Sequence, residues 1–179
     1  MAYHMMGGHY LMGSMGLKKD GRKALECIEK AAELGLNAAH HTLGSIYSGG
    51  MGVEKDAAKA LHYYRLAAIG GNVHSRHALG VKAYFGEPPQ VELALKHWLL
   101  AAESGHDESL KNVKLGFQKG CITKDVFAKT LRAHQSATDQ IKSDQRDKAM
   151  DYYQKHASER ASQRGADWDN SKGGYYIKF

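Results

Sequence analysis

Histidine is the residue through which this sequence could do chemistry, with 11 among 179 residues. His40 and His41 stand together, and His74 and His77 stand three apart in the corresponding stretch one repeat later. Imidazoles three apart on a helix share a face, and imidazole both ligates metals and titrates near neutral pH. Zinc wants four ligands, or three and a water. His41 and His77 occupy the same repeat position, but Lys111 takes the next place in that ladder, and a lysine argues against a row of metal ligands. The spacing predicts a polar, partly titratable strip, and no metal or other cofactor is expected.

Other candidates for chemistry fall to their context. Gly49-Gly50-Met51-Gly52 resembles a phosphate loop but lacks the Gly-Lys-Ser/Thr ending and recurs as Gly13-Ser14-Met15-Gly16, so it reads as a turn. Cys27 aligns with Tyr63 and His97 in the repeat and reads as a packing residue. No nucleophile-elbow, His-Glu-x-x-His or Cys–His pattern is present, so no catalytic residue is expected.

The elements that carry the histidines come from an internal repeat. Residues 24–35, 60–71 and 94–105 are three versions of one helix, at offsets of 36 and 34. Leu-Gly pairs ending at Gly44 and Gly80 mark a preceding helix, and Gly8 stands 36 before Gly44. Each unit thus reads as two helices. Asp20 and Asp56 are expected to cap the second helix by accepting from its free amides, and Gly35 and Gly71 to end it in a left-handed turn. Ala31, Ala32, Ala67, Ala68, Ala101 and Ala102 keep one stripe small. Gly8, Gly44 and Gly80 are expected to permit close helix contact, since an unrewarded mid-helix glycine costs about 1 kcal/mol against alanine. Asp107 is expected to cap a helix of a partial fourth unit, and Pro88-Pro89 to open the third unit's second helix.

The charge is +6 and the pI about 9.2, but no three cations are adjacent. A nucleic-acid surface usually concentrates its cations. Cys27 and Cys121 lie 94 residues apart, which excludes a disulfide scaffold and points to an intracellular, reducing compartment, the cytoplasm by default. No secretory leader is visible, and no apolar run approaches the roughly 18 residues of a membrane span.

The run from Leu43 to Gly71 reads L-G-x-x-Y-x-x-G-x-G-V-x-K-D-x-x-K-A-x-x-Y-Y-x-x-A-A-x-x-G. This resembles the Sel-one-like repeat, a relative of the tetratricopeptide repeat. The resemblance implies an all-α, right-handed solenoid whose concave surface binds proteins, an adaptor or assembly role, and no catalysis. The repeats are expected at about 3–37, 38–72, 73–106 and 107–131, some three and a half in all. A polar helix over 132–164 and an extended aromatic tail over 165–179 follow. His41, His77 and Lys111 are the candidate partner-binding residues of the solenoid. Trp168, Tyr175, Tyr176 and Phe179 are those of the tail, because aromatics bury large area at low entropic cost. The rival reading is an RNA-binding helical repeat using the positive charge. The shift of period from 36 to 34 and the Ala-Ala-x-x-Gly ending argue against it.

Overall fold

The computed structural model describes the backbone of residues 1–166 and the side chains of residues 1–152 and 154–156. Among the described residues there are eight helices and no strand. They are α1 (Ala2–Met12), α2 (Gly21–Glu33), α3 (Asn37–Gly49), α4 (Ala57–Ile69), α5 (Val73–Tyr84), α6 (Val91–Glu103), α7 (Asp107–Gln118) and α8 (Lys124–Ala166). The chain forms two compact units, Met1–Ala137 and Thr138–Phe179. In the first, α1 packs on α2, α3 on α4 and α5 on α6, and each pair passes its second helix to the first helix of the next: α2 to α3, α4 to α5, α6 to α7. This is a helix-turn-helix solenoid. The described part of the second unit is the remainder of α8.

Local chemistry sets the boundaries. Asp20 accepts from the amides of Arg22 and Lys23, and Asp56 from that of Lys59, satisfying donors that the first helical turn leaves free. Gly35 and Gly71, at φ +80° and +87°, turn the chain into the next repeat. Two expectations shift by a residue or more. His106, not Asp107, caps α7, accepting from the Ser109 amide through its ring. Pro88-Pro89 precede α6, which starts at Val91 after the cap residue Gln90.

The core is built from equivalent positions. Ala24, Ala60 and Ala94 are fully buried, as are Ala67 and Ala101, while Ala31 and Ala68 are nearly so. Ile28, Tyr64 and Trp98 follow each small residue by four and fill the space between paired helices. Gly44 lies against the Tyr64 ring and Gly80 against the Trp98 indole. The first repeat departs from the expected glycine. A Cβ at Gly8 would meet nothing within 4 Å, whereas one at Gly7 would overlap Ile28. The close helix contact of repeat one is therefore made at Gly7, one residue before the position aligned with Gly44. Ala32 is only half-buried.

The C-terminal layout also differs from expectation. No separate helix begins at 132, because α8 runs unbroken from Lys124 to Ala166. Residues 132–164 hold neither glycine nor proline, so nothing interrupts the helical hydrogen-bond ladder there. Trp168, Tyr175, Tyr176 and Phe179 lie outside the described residues.

Candidate functional site, a histidine strip across the first helices

The first helix of each pair carries a histidine that reaches the first helix of the next pair. The His4 ring nitrogen Nε2 on α1 lies 3.0 Å from Thr42 Oγ1 on α3. His41 Nδ1 on α3 lies 2.8 Å from Ser75 Oγ on α5, and His77 Nδ1 on α5 lies 2.8 Å from Ser109 Oγ on α7. Ser75 and Ser109 are fully buried, so their hydroxyls need partners within the fold: His41 serves Ser75, and Ser109 is shared by His77 and by His106 Nδ1 at 3.1 Å. His41 and His77 are thus half-buried ties between successive repeats.

Around these ties the rings gather. His74 lies 6.1 Å from His41 and 5.1 Å from His106, and His77 lies 4.6 Å from His106, centroid to centroid. The strip runs from α3 through α5 to the start of α7. Lys111 is held 2.7 Å from Glu108 on α7, both exposed to solvent. His74, Glu108 and Lys111 are the members that solvent reaches freely, whereas His41, His77 and His106 are partly covered. No group of three or more His, Cys, Asp or Glu among the described residues is placed to hold a metal ion.

Electrostatics favours the neutral rings. Burial, then the neighbouring His74, holds His41 below the usual histidine range. Burial also lowers His77, with His74 adding and Glu108 opposing. His106 is lowered by burial and then by His77 and His74, against Glu108 and Asp107. His106 has a further reason to stay neutral at Nδ1. That atom accepts the Ser109 amide at 3.1 Å as the cap of α7, and a proton there would end the bond. Tyr64 of α4, 5.8 Å from His41, brings no charge to offset an imidazolium.

A pH dependence follows from these directions. Each ring has a folded pKa below its unfolded value of 6.5, so the unfolded chain binds protons first as pH falls. The histidine contribution to stability is complete above pH 6.5 and is lost as pH drops through the folded values. Urea midpoints measured from about pH 7.5 down to about pH 5 are expected to fall. The His41→Asn, His77→Asn double variant should show a shallower fall, and an identical slope in both proteins would refute the role of these rings.

Of the residues expected from sequence, the structure brings His41 and His77 into one strip and places Lys111 at its end, on Glu108. Sequence reasoning missed His106, Ser75 and Ser109. Their signal was available: Asn72 and His106 stand 34 apart, each followed three residues later by a serine. It also missed His134 of α8, which is buried, with Nδ1 2.9 Å from the Ala102 carbonyl oxygen and Nε2 3.1 Å from Asp107 Oδ1. That contact fastens the start of α8 to the ends of α6 and α7.

Residues 1–36, 37–72, 73–106 and 134–159 match the family model of the Sel1 repeat. The fourth match lies inside α8 rather than over 107–131. There Lys148-Ala149-Met150-Asp151-Tyr152-Tyr153 restates Lys59-Ala60-Leu61-His62-Tyr63-Tyr64 without the glycine turn that would break the helix in two. Among solved structures, the chain is similar to c5321, a protective antigen present in uropathogenic Escherichia coli strains displaying an SLR fold. Identity is 26%, the TM-score is 0.64, and the match covers 76% of this chain and 30% of that one. It is also similar to a Sel1 repeat protein from Oxalobacter formigenes, at 29% identity and a TM-score of 0.54, over 63% of this chain and 86% of that one. No curated protein matches the chain.

Proposed function

We propose, from the premise that this chain belongs to the Sel1 repeat family, that it is an adaptor or accessory subunit that holds another protein against its first helices. Sel1 repeat proteins are typically protein-interaction modules on a generally non-catalytic scaffold. The observation that carries the reading is the strip of His41, His74, His77 and His106 laid across three successive repeats. A binding surface must be rigid and must still offer unspent polar groups. The serine ties fix the strip, the open His74 offers its ring, and the exposed Glu108–Lys111 pair retains further acceptor and donor capacity of both charge signs. The aromatic residues Trp168, Tyr175, Tyr176 and Phe179 form a second contact element, as anchors on a short segment. Enzymatic function is not part of this reading.

The RNA-binding alternative gains nothing from the structure. Lys23, Lys30, Lys59 and Lys111 each lie beside a carboxylate three residues away on the same helical surface. No helix among the described residues is long and apolar enough to cross a membrane.

Affinity capture with the native chain and with the His74→Ala, Lys111→Ala double variant, quantified by mass spectrometry, tests the proposal. Both substitutions sit on open side chains, so helicity is expected to be unchanged. A stoichiometric partner should be depleted about tenfold or more on the variant if these residues are central to the contact. Equal capture by both proteins would remove the strip from the interface.

A further inference from the structure

A concavity in the first unit shares no lining residue with the histidine strip. It has a volume of about 440 Å³ and is bounded by α5, α6, α7 and the turn after α7. Trp98, Leu95 and Tyr84 are among the apolar and aromatic groups lining it. Its apolar lip is uncovered: Phe85 is 76% and Leu115 is 53% exposed. The polar groups lining it are few. Lys119 brings the one charge among the lining residues, Asn112 an amide and Cys121 a free thiol.

We propose that this pocket receives an aromatic side chain flanked by carboxylates, presented by a partner polypeptide. The volume suits a large ring with part of its backbone, since small-ligand sites begin at about 300 Å³. Ring-lined walls favour an aromatic occupant through offset or edge contacts. The charge selects its neighbours. Lys119 attracts a carboxylate, no acidic residue lines the pocket to repel one, and a flanking cation would meet like charge. The Asn112 amide can donate to and accept from a peptide backbone. The proposal deepens the protein-interaction reading and rests on it, but it concerns a surface separate from His74 and Lys111, so each can fail alone.

The probe is a fluorescein-labelled peptide Gly-Asp-Trp-Asp-Asn-Ser, titrated by anisotropy into the full chain. Replacing its tryptophan by alanine should weaken binding about tenfold or more. Lys119→Glu should weaken it about fivefold, and the same variant should bind a Gly-Lys-Trp-Lys-Asn-Ser peptide better than the native chain does. Leu115→Glu at the open lip should abolish binding while leaving helicity intact. Saturating probe should slow alkylation of Cys121 several-fold and leave Cys27, which does not line the pocket, unchanged. Absence of binding, binding indifferent to Leu115→Glu and Lys119→Glu, or unprotected Cys121 would overturn the proposal. The chain itself carries Asp167-Trp168-Asp169. Markedly tighter probe binding by the Trp168→Ala full chain would overturn the partner assignment, because the chain's own segment would then hold the pocket. Loss of partner capture by the His74 and Lys111 double variant with normal probe binding would leave this site standing, and the reverse pattern would leave the strip standing.

Discussion

Trp98→Ala is expected to destabilise the chain by about 3–5 kcal/mol, the range for truncating a large buried aromatic. Trp98 is 5% exposed, packs on Gly80 of the facing helix and lies 5.5 Å from the Tyr84 ring. Its indole nitrogen has no hydrogen-bond partner among the described residues, so the loss is one of packing rather than of a bond. The vacated space adjoins the 440 Å³ pocket, so water can enter and the cavity cannot close cheaply. The urea midpoint read by circular dichroism measures the effect. Trp98→Phe should retain much of the stability because it keeps a ring against Gly80. Loss below about 1 kcal/mol for Trp98→Ala would show that this position is not a core position.

Gly44→Val is expected to cost about 2–3 kcal/mol, through overpacking rather than a cavity. A Cβ at residue 44 would stand 2.6 Å from Tyr64 Cδ1 and 2.7 Å from Cε1, and valine adds two further carbons. Tyr64 cannot simply swing away. It is 6% exposed, and its hydroxyl donates to Ser45 Oγ at 3.3 Å. The better helix propensity of valine returns only a few tenths of a kcal/mol. Gly8→Ala is the contrasting case. The space there is open, so alanine should be neutral or stabilising by up to about 1 kcal/mol. Thermal melts of the two variants beside the native chain separate the cases, and equal melting temperatures for Gly44→Val and native protein would remove the close-contact argument.

The failure at Gly8 shows how sequence periodicity reaches its limit. Alignment at 36 residues selects Gly8, because Gly44 and Gly80 stand at that spacing. Which of two adjacent glycines faces the partner helix depends on rotation about the helix axis, at about 100° per residue. That rotation is set by packing on Ile28, which is remote in sequence. The cap of α7 makes the same point. Asp107 is the better capping residue by type, yet His106 occupies the cap position, where its ring also meets His77 on the neighbouring repeat.

The family's fourth match raises a different issue. Residues 147–157 have the composition of a second helix, but the turn signal that should precede it is missing. Without glycine or proline the helical ladder simply continues. Met150, at the position of half-buried Leu61, is consequently 57% exposed.

By itself the sequence determined the helical class, the spacing of 36 and then 34 residues, the Asp20 and Asp56 caps and the left-handed Gly35 and Gly71. It also determined most of the buried alanine stripe, Ala32 excepted. These are local: they follow from hydrogen bonding within one turn or from side-chain volume, and neighbours in the chain suffice to decide them. Only the tertiary structure decided that His41 and His77 are ties to buried serines, that His74 and His106 complete their strip, and that Gly7 makes the close contact. It alone placed Trp98 beside an open pocket with Lys119 as its charge. Those properties depend on groups some 20 to 40 residues apart, and their contact distances are fixed by how one helix pair rotates onto the next.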